Sequence, residues 1–195
     1  MRKPGIPYQA ANFVSIFLFV CLILWPESRA HAQDSNYHLM VNLELGCKIE
    51  FPGKPDESTQ ASPTASGTQD LHLFMYNGAS SPGDPNLLYM LACTVYTDTN
   101  INSSKPARMA GLYRNAIDGA AHRIGGKIIS EQEINTGTHT GREARLQFQD
   151  GNAIVTLRIF LIKNRFYLTQ TITNSSNDGN AATQRFLDSF SLLKS

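Results

Sequence analysis

The sequence predicts an α+β domain in which helices flank an antiparallel β-sheet. Three observations lead to this prediction. Apolar residues alternate with polar ones along much of the chain, which is the two-residue period of strands. Between residues 105 and 124 the apolar spacing changes to three and four residues, the period of a helix. Ile154–Ile162 is almost entirely apolar, as expected for a strand that is covered on both faces.

The first 32 residues are predicted to be an export signal. A basic start precedes the uncharged apolar run Phe13–Trp25, and Ala30-His31-Ala32 has the spacing of a signal peptidase site. The run of 13 residues is shorter than the roughly 20 that a membrane-spanning helix needs. We therefore expect cleavage before Gln33 and no stable transmembrane anchor afterwards, with an uncleaved anchor as the alternative. The mature protein is expected to be periplasmic or secreted.

Cleavage leaves enough chain for one domain. Residues 33–38 are predicted to be a flexible amino terminus and residues 39–195 a single α+β domain. Cleavage also lowers the charged residues from 17 basic and 16 acidic to 14 and 15, a net charge of −1, by removing Arg2, Lys3, Arg29 and Glu27. The remaining basic residues are scattered, so no surface is expected to attract polyanions and no nucleic-acid partner is expected.

Two cysteines remain in the mature chain, Cys47 and Cys93. Two cysteines in a small secreted domain are candidates for a disulfide. Both lie within predicted strands on the same parity as apolar neighbours, so two buried free thiols are the alternative. Metal binding is not expected, because the sequence has no Cys-x-x-Cys and no histidine pair nearby.

The first half of the domain is predicted to contain three strands. Every odd-numbered residue of Leu39–Phe51 is apolar, which indicates a strand with a break near Gly46. The prolines of the following Pro52–Pro55 lack the amide hydrogen that a strand ladder needs, so the strand ends there. Residues 56–70 contain no large apolar residue and are predicted to be a solvated, mobile loop.

The other two strands of this half are predicted at Leu71–Tyr76 and Leu87–Thr97. Leu87–Thr97 has apolar residues on both parities, as expected where both faces are covered.

The second half begins with the predicted helix Lys105–Ile124, which has Pro106 in its first turn and Gly125-Gly126 after its end. A meander follows, with Asp150-Gly151 as a tight turn. Its strands are predicted at residues 127–134, 144–148, 154–162 and 166–173. A last helix is predicted over Ala181–Leu193.

Five local strings occur in an order that is typical of a known fold. They are Phe51-Pro52-Gly53-Lys54-Pro55, Gly125-Gly126 after a helix, Gly141-Arg142-Glu143, Arg165-Phe166-Tyr167-Leu168 and Phe186-Leu187-x-Ser189-Phe190. With them the chain resembles the PsbP-like superfamily of small secreted proteins over residues 39–193. The resemblance implies a PsbP-like sandwich and an accessory or interaction role. The polar segment after Asp56 and the two cysteines have no counterpart in that pattern.

No catalytic, cofactor or metal site is predicted. The mature chain has four histidines and no Gly-x-Ser-x-Gly elbow. The histidines are His38, His72, His122 and His139. His139 lies beside Arg142 and Glu143 in a loop of small residues, which is the arrangement most suggestive of a site. We favour the alternative of a plain hairpin loop in which Glu143 pairs with Arg142 or Arg145.

Binding is the function that the sequence favours. Five tyrosines are candidates for lining a groove, although tyrosine is equally common on strands. They are Tyr76, Tyr89, Tyr96, Tyr113 and Tyr167. We expect a non-enzymatic periplasmic or secreted accessory domain that binds a protein or an envelope component, without a cofactor. A carrier of a small hydrophobic ligand or lipid is the alternative, and a hydrolase is the least favoured.

Overall fold

The protein, seen here as a computed structural model, is described over residues 37–64, 67–98 and 101–194. The predicted signal peptide, residues 1–32, lies outside the described residues. The strands of the described ranges are β1 His38–Asn42, β2 Cys47–Phe51, β3 Asp56–Thr64, β4 Gly67–Tyr76, β5 Asn86–Val95, β6 Lys127–Thr136, β7 His139–Phe148, β8 Ala153–Ile162, β9 Arg165–Asn174 and β10 Ser191–Leu192. The α-helices are α1 Pro106–Arg123 and α2 Ala181–Ser189. Within these ranges, no helix is both long and apolar enough to cross a membrane.

The strands form two antiparallel sheets. Seven strands make a large sheet in the order β3-β4-β5-β9-β8-β7-β6, and three make a small sheet in the order β1-β2-β10. The α+β prediction of an antiparallel sheet flanked by helices is confirmed.

Helix α1 lies on one face of the large sheet, against β6, β7 and β8. Ile117 and Tyr113 of the helix pack with Leu146, Leu157 and Ile159 of the strands. The Tyr113 hydroxyl accepts a hydrogen bond from the Leu161 amide (2.8 Å) and donates one to the Thr140 carbonyl (3.2 Å). These two bonds satisfy a buried hydroxyl and hold the helix in position over the sheet.

The small sheet and α2 cover the other face of the large sheet. Phe186 of α2 contacts Phe51 of β2 and Tyr89 of β5, with ring centroids 5.0 and 5.3 Å apart. Phe190 stacks on Phe160 of β8 at 5.7 Å. These rings belong to one continuous buried cluster, so α2 and the two sheets share a core.

Strand β8 is buried on both faces, as its sequence predicts. Val155, Leu157, Ile159 and Leu161 point toward α1, whereas Phe160 belongs to the core on the other side. Burial from both sides explains why the apolar residues of this strand do not alternate with polar ones.

The prediction of a mobile loop over residues 56–70 is wrong. Strand β3 and the start of β4 form a hairpin there, with register running from Asp56↔Met75 to Thr64↔Gly67. Residues Asp56 to Ala61 are all exposed, because β3 is the edge strand of the large sheet. The backbone ladder holds such a strand without apolar side chains, so its sequence lacks the alternation on which the prediction depended.

The predicted strand Leu39–Phe51 is a hairpin of two strands, β1 and β2. The chain turns at Gly46, whose φ of +68° is in the left-handed region that favours glycine. The Asn42 side chain accepts a hydrogen bond from the Leu45 amide (2.8 Å) within this turn. β2 then ends at Phe51, directly before Pro52, as predicted.

The predicted helix Ala181–Leu193 is too long, because α2 ends at Ser189. The Ser189 hydroxyl donates to the Phe186 carbonyl (2.7 Å) and accepts from the Glu50 amide of β2 (2.9 Å). The next residues leave the helix and pair with β2 as β10. A strand of two residues is too short to show a period. The apolar spacing therefore made the predicted helix continue over the residues that form β10.

Replacement of Tyr167 by Phe tests how the small sheet is attached to the large one. The buried Tyr167 hydroxyl of β9 donates to the Leu45 carbonyl (2.5 Å) in the β1–β2 turn. Its loss leaves a buried carbonyl without a partner, so we expect destabilisation by about 1–3 kcal/mol. The free energy of unfolding in urea measures the effect.

Tyr96→Phe is the matched control, because the Tyr96 hydroxyl makes no hydrogen bond within the described residues. We expect this variant to unfold within about 0.5 kcal/mol of the original protein. Equal unfolding free energies for the two variants contradict the role assigned to the Tyr167 hydroxyl.

Candidate functional site

Helix α1 covers only half of its face of the large sheet. It packs over β6, β7 and β8, and no other described helix lies on that face. The open half consists of β4 and β5, and β9 forms its border with α1, where Leu168 and Ile172 also pack against the α1 cluster. We call its outward side chains the apolar half-face: Leu71, Leu73 and Met75 of β4, Leu88 and Met90 of β5, and Leu168 and Ile172 of β9.

Strand register assembles the apolar half-face into rows. Met75 pairs with Met90, and Leu73 pairs with Ala92, which in turn pairs with Leu168. Leu88 pairs with Ile172. Paired residues of antiparallel strands lie on the same side of a sheet, so these side chains form a continuous surface.

The residues of β4 and β5 in this surface are half-buried and belong to neither buried cluster of the described chain. The sequence signal for them was the apolar character of Leu87–Thr97 on both parities. This pattern predicts that both faces of β5 are covered, whereas the described residues cover only one of them. The prediction of double cover is therefore wrong for β5 within the described chain.

The opposite face of the large sheet is also half open, over β6 and β7, but there the exposed surface is polar. Arg158 of β8 donates from Nε to Glu143 of β7 and from Nη1 to Asp188 of α2, each at 2.6 Å. Gln132 of β6 donates to the second oxygen of Glu143 (2.8 Å). Arg145 of β7 pairs with Asp178. We call this surface the polar half-face.

Two cavities lie beside these surfaces. One of about 300 Å³ lies between the loop before α1 and the helix, lined by Ile101, Leu112 and Leu161 and by Arg108. The other, of about 310 Å³, lies between the polar half-face and α2. Each has the volume of a small ligand site. No group of three or more His, Cys, Asp or Glu side chains that could hold a metal ion occurs within the described ranges.

The four histidines lie on four different elements: His38 on β1, His72 on β4, His122 on α1 and His139 at the start of β7. His72 hydrogen bonds to the Thr59 hydroxyl across the β3–β4 hairpin (3.2 Å). The expected pairing of Glu143 with Arg142 or Arg145 is wrong. Glu143 pairs with Arg158, because the register of β7 and β8 sets these two residues directly opposite each other.

The five tyrosines do not form one groove. Tyr89, Tyr113 and Tyr167 are core residues, exposed by 4% or less. Each uses its hydroxyl inside the fold; Tyr89 donates to Asp84 at 2.7 Å. Tyr76 and Tyr96 are half-buried. The tyrosines therefore fix the layers of the fold, and the candidate binding surface consists of aliphatic and methionine side chains instead.

Cys47 and Cys93 are buried free thiols. Cys47 lies on β2 and Cys93 on β5, so they come from the two sheets that face each other across one core. Of the two alternatives that the sequence left open, the structure has the unbridged one. Burial raises the pKa of the Cys47 thiol to about 11 and that of Cys93 to about 12.

These pKa values predict slow reaction with thiol reagents. With a pKa of about 11, about 0.1% of Cys47 is thiolate at pH 8, against roughly a quarter for an ordinary cysteine. We expect the reduced native protein to react with 5,5′-dithiobis(2-nitrobenzoate) at least about 100-fold more slowly than the protein unfolded in guanidinium. Cys47→Ala and Cys93→Ala variants assign the rate to one thiol. Fast reaction of the native protein contradicts the burial.

Comparison with known proteins identifies the fold. No protein-family profile and no curated protein matches the chain. Among solved structures, cyanobacterial PsbP (CyanoP) from Synechocystis superposes with a TM-score of 0.57 and 5% sequence identity, over 80% of this chain and 92% of that one. A Pseudomonas aeruginosa protein of unknown function superposes with a TM-score of 0.40 and 15% identity, over 73% of this chain and 85% of that one. The resemblance that the local strings indicate is thereby confirmed at the level of structure, and the chain has a PsbP-like fold.

Proposed function

We propose that this protein is a non-enzymatic accessory domain, periplasmic or secreted, that binds a partner protein through the apolar half-face. Location outside the cytoplasm rests on the export signal predicted in residues 1–32. One observation carries the binding proposal: β4 and β5 are apolar on both faces, and the described chain covers only one of them. A contiguous apolar surface of this kind is typical of an interaction site.

The polar half-face supports this proposal by contrast. It is also left open by the layers of the fold, and there the sequence places charged side chains that pair with one another. Antiparallel sheets that face water normally carry polar residues on that side. The two open halves therefore differ in the way expected if water covers the polar one and a partner covers the apolar one.

The dimensions of the apolar half-face suit one helix. Three neighbouring strands at a spacing of about 4.8 Å are about 10 Å wide between the outer two, and a helix with its side chains is about 10 Å across. Such a helix fits beside α1 and completes the helical layer. The rows of β4, β5 and β9 on this side contain Gln170 and Thr94 but no charged residue. We therefore expect the partner to present an apolar stripe.

Site-specific photocrosslinking in the producing cells tests this proposal. With Met90 replaced by p-benzoylphenylalanine, we expect one dominant crosslinked protein, because Met90 lies at the centre of the apolar half-face. A second substitution, Leu73→Glu, places a charge in the neighbouring row and should lower the yield at least about tenfold. Immunoblotting quantifies the yield, and mass spectrometry identifies the partner.

Gln147 of β7, half-buried on the polar half-face, is the matched control position for the same photocrosslinker. We expect little crosslinking there, and circular dichroism verifies that Leu73→Glu stays folded. Equal yields at the two positions, or yields unaffected by Leu73→Glu, contradict binding through the apolar half-face.

Carriage of a small hydrophobic ligand or lipid is the second candidate function. The observation that favours it is the cavity of about 300 Å³ beside α1, which is lined mainly by apolar side chains. A carrier is expected to copurify with its ligand, and native mass spectrometry detects such a complex. Retention of a small molecule that Leu112→Trp displaces, together with no protein crosslink at position 90, selects the carrier over the partner-binding domain.

A further inference from the structure

Within the part of the chain that the structure describes, strand β1 is a sheet edge without protective features. The two sheets of the described chain end in four edge strands: β3 and β6 on the large sheet, β1 and β10 on the small one. Edge strands carry unpaired amide and carbonyl groups that can pair with another chain. Proteins limit such pairing with charged residues, prolines, bulges or short strands.

Three of the four edge strands have such features, which limit pairing with another chain. Strand β3 begins with Asp56 and Glu57 and contains Pro63. Strand β6 contains Lys127, two glutamates and an irregularity between Ile128 and Ser130. Strand β10 is two residues long. Strand β1 (HLMVN) has none of them: it contains no charged residue and no proline, and its pairing with β2 is regular over all five residues.

The outer side of β1 is also apolar and exposed. Leu39 and Val41 are exposed by 51% and 49%, and Leu43, in the turn that follows the strand, is exposed by 83%. The other large apolar side chains with comparable exposure in the described chain are Ile128 and Ile129, which lie at the irregularity of β6. An open backbone edge and an apolar strip thus coincide on β1 alone among the four edges.

We propose that β1 is a self-association edge, at which a second copy of this chain adds its own β1 antiparallel across a two-fold axis. Pairing centred on Met40 sets Leu39 of each copy opposite Val41 of the other. Opposed residues share one side of the sheet, so the four side chains form an apolar cluster on the outer surface. The small sheets of the two copies become one continuous sheet of six strands.

Charge complementarity favours a second copy as the occupant. On the outer side of the small sheet, Leu39 pairs with Glu50 and Val41 pairs with Lys48. In the paired dimer each row across the sheet therefore runs from Glu50 through Leu39 to Val41 and Lys48 of the other copy. The two ends of a row are three strand spacings apart, roughly 14 Å, and Glu50 is paired with Arg185 of its own chain. The pairing therefore brings no like charges together across the axis. This edge is independent of the apolar half-face, which lies on the large sheet.

Two five-residue strands make a small interface. Interfaces of this size belong to the weak or transient class, so we expect a dissociation constant between about 1 µM and about 1 mM. Backbone hydrogen bonds between the two strands supply the association, and the Leu39–Val41 contacts set its register.

Sedimentation velocity of the purified protein, from about 1 µM to about 1 mM, tests the proposal. We expect the sedimentation coefficient to rise with concentration from the monomer toward the dimer. Val41→Glu places a charge opposite Leu39 of the other copy and is expected to weaken self-association at least about tenfold. Within its own chain the new carboxylate faces Lys48, so the variant should stay folded.

Ile129→Glu is the matched control, since Ile129 is exposed by 44% on an edge strand that carries protective devices. This variant is expected to self-associate like the original protein. A mixture of Leu39→Lys and Val41→Glu variants provides the register test, because pairing centred on Met40 sets the new lysine opposite the new glutamate. We expect each variant alone to self-associate more weakly than the original protein, and the mixture to form heterodimers.

Several results overturn the proposal. They are a protein that stays monomeric over the whole concentration range, a Val41→Glu variant that dimerises undiminished, and equal losses for Val41→Glu and Ile129→Glu. Failure of the mixed variants to pair overturns the register centred on Met40. Loss of the photocrosslinked partner at position 90 leaves these outcomes unchanged, because the two surfaces lie on different sheets.

Discussion

Burial of β8 from both sides is the constraint on which the rest of the structure depends. This strand lies where the two covering layers overlap, with α1 on one face and α2 with the small sheet on the other. Arg158 is the one residue of this strand that is not buried, and its guanidinium forms ion pairs with the carboxylates of Glu143 and Asp188. A cation in that position needs such partners, because its desolvation is otherwise costly. The two ion pairs also tie β7, β8 and α2 together.

Because the two covering layers overlap only at β8 and its neighbours, each layer leaves half of the face that it covers open. The layer that contains α1 reaches β6 and β7 but not β4, and the layer that contains α2 is displaced in the opposite direction. The sequence treats the two open halves differently. Polar and charged residues occupy the β6–β7 half, whereas leucine and methionine occupy the β4–β5 half. The two open halves of the described chain therefore differ in side-chain chemistry, one polar and charged and the other apolar.

Local pattern predicted most of the fold because most elements obey one period. Alternation located β2 and β7, the three-to-four-residue spacing located α1, and continuous apolarity located β8. The apolar pattern did not predict β3, because backbone hydrogen bonds hold this strand in the sheet without apolar side chains. It did not predict β10 either, because a strand of two residues is too short to show a period. The predicted break near Gly46 is present as the turn between β1 and β2, and the odd-numbered residues stay apolar on both sides of it.

The candidate surface was only half predictable. Apolar residues on both parities of β5 correctly identified the strand, but they predicted cover on a face that the described chain leaves half open. Whether a helix of the same chain covers each face depends on where α1 packs, and the buried contacts of Tyr113 and Ile117 hold α1 over β7 and β8. In the same way, Glu143 lies next to Arg142 in sequence but pairs with Arg158, because register across strands, not proximity along the chain, decides which charges meet. Composition and period therefore specified the layers, and long-range packing alone selected the halves that stay open.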